Sequence, residues 1–420
     1  MAGFRSEGEY LAHLSHHALM PDGFSVLTTG IDFDPTEKPG TQAHMNIACV
    51  VLDEPAYATA GVFTTNRLPG APVVVTGDRL GRVATRGLLI NNKIANVAVG
   101  TGVDDAKRLS QFVAARIGAG SEDVLVASTG VIGWRLPVEA MEAGIEALFS
   151  SRARSTGRDG EEDGDALALA RAIMTTDSYP KLGSRAVGEG RIVGVAKGAG
   201  MIEPHMATML SFIFTDCAVD SPRLQEALVA AVDDTFNAIT VDGDQSTSDM
   251  VLLLSSGRKQ CPDSDAFRQA LADLCRELSR DVVRNGEGVA HVIEVTVSGA
   301  PSNSLARDLA RSVANSPLVK TAIYGNDPNV GRLVMAVGDF CGRTDIEPEG
   351  LTISIGGRAV YYEGEFHLDG ERESDLAAYL RSAAQDPTIK GYRQSDATVA
   401  ITITLHAGRG HGRVLGADLS

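Results

Sequence analysis

The segment ATVAITITLHA, residues 397–407, sets apolar side chains on every second position from Val399 to Leu405. Only an extended strand gathers such a set on one face, because side chains alternate across a strand with a period of two. Six further runs rich in β-branched residues predict strands: PVVVTG (72–77), DVLVAS (123–128), RIVGVA (191–196), MLSFIFTD (209–216), VIEVTVSG (292–299) and LTISIG (351–356). Windows of helical periodicity lie among them, at 105–118, 137–150, 165–174, 222–237, 264–284, 303–314 and 373–385. Short strands interleaved with amphipathic helices predict a mixed α/β or α+β fold. The fourth helix is preceded by Ser221 as its expected cap, with Pro222 in the first turn, where no amide donor is missed. The polar stretch SSRARSTGRDGEEDGD (150–165) predicts an exposed, mobile loop rather than a domain linker, because periodic structure resumes directly after it.

A chain of 420 residues that is 44% hydrophobic can bury two or three ordinary domains or one large intertwined core. Its net charge of −16 argues against nucleic acid, which needs a basic face to neutralise phosphates. No stretch approaches the roughly 18 to 20 apolar residues of a membrane span, and the N-terminus has no apolar signal core. A cytoplasmic protein is expected. Cys49, Cys217, Cys261, Cys275 and Cys341 are scattered without a CxxC pair, which predicts reduced and mostly buried thiols.

Two local clusters have plain explanations. His13, His16 and His17 share a helical face, but no other ligands complete a metal site, so a solvated terminal segment is expected. GRGHG (408–412) is glycine-rich, but no helix follows it, and phosphate binding needs a helix N-terminus. No Walker, GxSxG or HExxH pattern is present.

Residues 197–210, KGAGMIEPHMATML, pose a sharper question. A threonine at 208 stands between a flexible lead-in and an apolar strand. It can simply be loop entering strand. It can also be a nucleophile. A threonine hydroxyl is weak unless a base lies beside it. Cutting the chain before Thr208 would supply one, because the freed α-amine has a pKa near 8. Attack of Thr208 Oγ on the Ala207 carbonyl would make the cut by an amide-to-ester shift, resolved by water. The small residues at 198–200 permit the strained backbone this needs, and Pro204 stiffens the approach.

The same segment, with SFIFTDCAV after it, resembles the self-cleaving block of the ornithine acetyltransferase family, which are bifunctional glutamate N-acetyltransferases of arginine biosynthesis. GVFTTN (61–66), ASTGVIG (127–133), AIMTTD (172–177), TFNAITVDGDQSTSD (235–249), NGEGVAHVIEVTV (285–297) and NSPLVKTAIYGNDPNVGR (315–332) resemble further blocks of that family in the same order. The resemblance implies the two-layered α/β fold shared with self-processing L-aminopeptidases, with N-terminal-nucleophile logic. It implies cleavage into an α fragment, 1–207, and a β fragment, 208–420, that stay one intertwined unit and assemble as α2β2 or higher. Thr208 would carry the acetyl group, and Thr129 and Gly130 would form the oxyanion hole. Thr175, Lys197 and Glu287 would bind substrate; Lys197 can hold a carboxylate and Glu287 an ammonium. The reaction implied is ping-pong: N-acetylornithine acylates Thr208, ornithine leaves, and glutamate takes the acetyl. No cofactor motif is seen, and transfer through a covalent ester needs neither metal nor nucleotide.

The match departs from the family pattern in four places. Lys93 and Ile94 stand in NNKIAN (91–96) for a glycine and a polar residue, Val330 stands for a tryptophan, and Ala290 and His291 stand for a Thr-Lys pair. The sequence stops at GADLS (416–420), short of a closing block that in the family supplies an asparagine and a threonine to the substrate site. Altered recognition is therefore expected, with weaker discrimination for ornithine. A member diverted to another amino-acid-like amine or amide is the alternative enzyme reading. A non-catalytic binding paralogue is a third, and Thr208, Thr129, Gly130 and Lys197 argue against it.

Overall fold

The computed structural model describes residues 3–155, 165–203, 209–261 and 263–419, with three sheets among them. The first has four strands in the order Phe24–Phe33, Ala43–Leu52, Gly87–Asn91, Val124–Ser128. Its last two strands are parallel and the others antiparallel. The second has five, in the order Ala58–Phe63, Met250–Gln260, Leu210–Ala218, Gly190–Lys197, Lys181–Val187. Here Met250–Gln260 runs parallel to Leu210–Ala218, and every other pair is antiparallel. The second sheet takes strands from both sides of the Ala207–Thr208 bond.

These two sheets stack face to face. Val26, Val50, Leu88 and Leu125 of one meet Val195, Phe212, Phe214 and Leu252 of the other. Helices Gly102–Arg116 and Val138–Ser155 cover the outer face of the first sheet, and helices Ser221–Asp233 and Ser264–Arg284 cover the outer face of the second. Two β layers are thus each backed by helices, as a sheet apolar on both faces requires. The strand Leu210–Ala218 is buried almost throughout, with Leu210, Phe212 and Phe214 between the two sheets and Ile213 and Cys217 under the outer helices.

The third sheet has seven strands, with Val399–Thr404, Val292–Ala300 and Gly410–Ala417 adjacent near its middle. Helices Asn303–Ala314, Pro317–Tyr324, Val330–Thr344 and Gly370–Ala383 share one core with it. The glycines of GRGHG serve this packing. A Cβ on Gly412 would come within 2.3 Å of Arg307 N, so glycine lets the strand lie directly against helix Asn303–Ala314.

The mixed α/β class is present, and six of the seven expected strands form. The seventh does not. Residues 72–77 lie in a helix, Ala71–Arg79. Pro72 sits in its first turn, and its buried side chains cap the edge of the first sheet. Thr76 Oγ1 donates to Val126 O at 2.6 Å and accepts from Val126 N at 2.9 Å, while Arg79 Nη1 donates to Val124 O at 2.6 Å. An unpaired edge strand is thereby satisfied by a helix, and tertiary context overrides the strand preference of the valine run. Asp220, not Ser221, caps Ser221–Asp233 through Arg223 N. The N-terminal segment is docked rather than solvated: Tyr10 is buried and donates to Pro180 O at 2.8 Å, and His17 Nδ1 lies 2.8 Å from Ser184 Oγ. Helix Val138–Ser155 extends into the stretch expected as a loop, whose remainder to residue 164 lies outside the described residues. All five cysteines are free, and four are buried.

Candidate active site

A cavity of about 780 Å3 is lined by Thr129, Gly130, Thr175, Lys197 and Glu287. Every described residue expected to take part in catalysis or substrate binding therefore lines one space. Ala207 and Thr208 lie outside the described residues; their described neighbours are Glu203 and Met209.

Thr129 and Gly130 are delivered by the parallel edge of the first sheet. Strand Val124–Ser128 ends beside Asn91, whose carbonyl accepts from Thr129 N at 3.1 Å and whose Oδ1 accepts from Ser128 Oγ at 2.7 Å. Gly130 has φ of 129°. A Cβ there would sit 2.2 Å from the Lys93 carbonyl carbon, so both conformation and space demand glycine. Val131 N donates to Lys93 O at 2.9 Å and fixes the turn. Among the described residues nothing accepts from the Gly130 amide. Lys197, buried at the end of Gly190–Lys197, donates through Nζ to Thr129 Oγ1 at 3.2 Å. A hydroxyl oxygen that accepts from an ammonium keeps its own proton free to donate elsewhere.

Asp177 holds this arrangement together. Its Oδ1 accepts from Lys181 Nζ at 2.5 Å and from Gly198 N at 2.8 Å, and its Oδ2 accepts from Thr175 N at 2.9 Å. One carboxylate thus ties the Thr175 turn to the residue after Lys197. Asp177 and Lys181 are both fully buried as side chains. Burial by itself would raise the Asp177 carboxyl, but the Lys181 and Lys197 charges and the Gly198 amide hold it well below the usual carboxylate range. Burial pulls the Lys197 ammonium down from its ordinary value, against the opposing pull of Asp177.

Acids also pin both flanks of the 204–208 segment. Asp242 Oδ1 accepts from Ile202 N at 2.8 Å, and Glu203 Oε2 accepts from Asn315 Nδ2 at 2.9 Å. On the far side, Met209 N donates to Asp249 Oδ1 at 2.9 Å. Asp249 is buried, and its Oδ2 has no partner among the described residues. Burial lifts this carboxyl well above its usual value, and the Met209 amide and Lys197 oppose the shift.

Of the residues that depart from the expected pattern, Lys93 lines the cavity. Ile94 is buried in the core behind the first sheet, and Val330 in the core of the third. His291 Nδ1 lies 2.8 Å from Asp418 Oδ2, and Ala290 N donates to Asp418 Oδ1 at 3.0 Å, so these positions pack against residue 418 instead of the cavity. Sequence reasoning did not single out Asp177, Asp242 or Asp249. Each falls inside a quoted block, but each bonds to backbone amides, which leave no side-chain pattern to read; Asp177 also pairs with Lys181.

Among known proteins, a family model described as the ArgJ family matches residues 36–420. The arginine biosynthesis bifunctional protein ArgJ of Rhodococcoides fascians is 36% identical over 420 residues, covering 99% of this chain and 95% of that protein. The protein of the same name from Thermosynechococcus vestitus is 40% identical over 388 residues, covering 89% and 90%. A crystal structure of ArgJ from Bacillus halodurans shares 37% identity with a TM-score of 0.43, covering 50% of this chain and 93% of that one.

Proposed function

The chain belongs to the ArgJ family, and on that premise we propose that it is a self-processing acyltransferase of arginine biosynthesis. It moves an acetyl group from N-acetylornithine to glutamate through an ester on Thr208. Maturation begins when Thr208 Oγ attacks the Ala207 carbonyl carbon. The peptide C–N bond breaks as nitrogen takes a proton, and water hydrolyses the ester. This leaves a carboxylate on Ala207 and a free amine on Thr208. That amine takes the Oγ proton as Oγ attacks the N-acetyl carbonyl of the donor. The tetrahedral oxyanion forms against the Gly130 amide and the Thr129 hydroxyl. The proton then passes to the leaving nitrogen, ornithine departs, and glutamate reverses the sequence as its amine attacks the ester.

The observation that carries this reading is the convergence of Thr129, Gly130, Thr175, Lys197 and Glu287 on one cavity, with both flanks of the Thr208 segment pinned nearby. The Lys197 bond to Thr129 Oγ1 favours donation by that hydroxyl into the cavity. Glu287 meets the substrate ammonium, and the Thr175 turn helps hold the bound amino acid. The mature enzyme pairs the 1–207 and 208–420 fragments as α2β2 or a higher assembly in the cytoplasm.

Intact-mass spectrometry tests the reading. The wild-type protein should appear as two fragments, one beginning Thr-Met-Leu, and N-acetylornithine should add one acetyl group to that fragment. Thr208→Ala should remain one chain and take up no acetyl. An intact wild-type chain that still transfers acetyl groups overturns the self-processing step.

A further inference from the structure

The cavity wall carries cations that the acyl-transfer chemistry leaves unused. Lys93 and Arg171 both line it. Neither side chain has an ion pair or hydrogen bond among the described residues. Lys93 is half-buried and sits directly on the oxyanion turn, with its carbonyl accepting from Val131 N at 2.9 Å and its backbone against Gly130. Its φ is 69°, in the left-handed region that disfavours every side chain and favours glycine. A long charged side chain is therefore held where the backbone would be easier without one. Strain of this kind gathers where a side chain acts on a ligand.

The acids in the same space are otherwise occupied or differently placed. Asp242 accepts from the amides of Met201, Ile202 and Asp244. Glu287 lies beside Gly200, where it is expected to meet the substrate ammonium. Lys197 is committed to Thr129 and to the field of Asp177. Lys93, after strand Gly87–Asn91 of the first sheet, and Arg171, on helix Ala166–Ala172, thus remain to meet substrate.

We propose that Lys93 and Arg171 form a carboxylate subsite that selects an acidic side chain on the amine partner of the reaction. The inference rests on the acyl-transfer reading and sharpens it. A dibasic amino acid such as ornithine presents an ammonium to these cations and is repelled. A dicarboxylic one presents a carboxylate and is held. The two cations therefore shift the balance of preference toward N-acyl dicarboxylic donors and free dicarboxylic acceptors, relative to what the same site would show without them, while N-acetylornithine still acylates Thr208. One partly exposed charge contributes a few-fold to either binding event. Attraction of one class and repulsion of the other multiply, so the ratio of preferences carries about a tenfold dependence on Lys93.

The test compares N-acetylglutamate with N-acetylornithine as donors in wild type, Lys93→Gly and Lys93→Arg. Thr208 ester formation is followed by mass spectrometry and scored as kcat/KM. Lys93→Gly suits the observed φ and keeps the turn. Lys93→Gly should lower the N-acetylglutamate to N-acetylornithine ratio about tenfold from its wild-type value, and Lys93→Arg should keep it. Rising salt should erode the wild-type ratio, and more shallowly that of Lys93→Gly, where only the Arg171 charge remains. Ester formation with a ratio indifferent to Lys93 and to salt overturns the subsite alone. In parallel, calorimetry on Thr208→Ala measures binding of free glutamate and ornithine with and without Lys93→Gly. A Lys93-dependent glutamate preference there, without any ester in wild type, sustains the subsite and overturns the acyl-transfer reading. Equal binding of both amino acids to both proteins, again without ester, overturns both.

Discussion

Replacing Asp177 by asparagine should be among the most damaging single changes available near the cavity. The carboxylate has three described partners: Lys181 Nζ at 2.5 Å, Gly198 N at 2.8 Å and Thr175 N at 2.9 Å. All three are donors. An asparagine amide offers one acceptor and turns an NH2 toward donors on its other side. It also leaves the Lys181 ammonium, fully buried as a side chain, without its counter-charge. Breaking a buried pair from one side typically costs about 3 to 5 kcal/mol, because the remaining charge stays desolvated. The same change should loosen the Thr175 turn and the residue after Lys197 together, so activity should fall even where folded protein survives.

Urea unfolding reads this directly, and a Thr208→Ala background keeps the protein as one chain. Asp177→Asn should lose about 3 to 5 kcal/mol near neutral pH. Adding Lys181→Met should restore part of the loss by removing the orphaned charge, though Lys197 also feels Asp177, so recovery should be incomplete. The pH dependence has a definite sign. The folded carboxyl titrates below its unfolded value of about 3.9, so its contribution is fully present above that pH. It disappears as pH falls through the depressed folded value. The gap between wild type and Asp177→Asn should therefore be constant from neutral pH to about 5 and close under stronger acid. A loss under about 1 kcal/mol, or a gap unchanged at low pH, refutes the keystone assignment.

Three shorter expectations follow from the same geometry. Thr129→Val should lower the rate of ester formation by about a hundredfold with little change in unfolding free energy, whereas Thr129→Ser should keep most of the rate; equal kinetics in all three would remove the hydroxyl from the oxyanion site. Thr76→Val should destabilise by about 1 to 3 kcal/mol, because both the amide and the carbonyl of Val126 lose their partner, and faster amide exchange in Val124–Ser128 should localise the effect. Asp249→Ala leaves the Met209 amide without its acceptor and should slow the appearance of the Thr-Met-Leu terminus, measured by timed electrophoresis after synthesis; an unchanged processing rate would make Asp249 a bystander.

What could be read from the sequence followed how directly each feature is written in side-chain pattern. Strand 399–404 shows its alternation because one face is buried and the other is not. The run at 72–77 misled because its valines signal strand propensity, while Pro72, the Thr76 hydroxyl and the Arg79 guanidinium use it as a helix across a sheet edge. Nothing local announces that an edge strand elsewhere needs covering. The site divided in the same way. Thr129, Gly130, Thr175, Lys197 and Glu287 fall in long family-like blocks and do converge. Asp177, Asp242 and Asp249 each bond to a backbone amide distant in sequence, Gly198, Ile202 and Met209, so only the fold reveals those partners. Lys93 was visible as a departure, but its position against the Thr129–Gly130 turn needed the bridge between Ile94 and Val131.

The topology also bears on how a chain could survive the proposed cut. Residues 198–209 join two antiparallel strands whose last paired residues are Lys197 and Leu210. Severing the Ala207–Thr208 bond within that connection removes no strand pairing. Gly190–Lys197 remains bonded to Leu210–Ala218, and Ala58–Phe63 remains bonded to Met250–Gln260. The apolar faces of the two stacked sheets also draw residues from both sides of the bond, with Val26, Leu88 and Val195 packed among Phe212, Phe214 and Leu252. Separating the fragments would expose that interior to water, so hydrophobic burial opposes dissociation. Met209, the residue that would follow the new terminus, is buried and donates its amide to Asp249, and the proposed cut touches neither. A nucleophile generated by the proposed cleavage would in this way be flanked by strands that were paired before it, and their pairing would offset conformational entropy that a freed chain end otherwise gains.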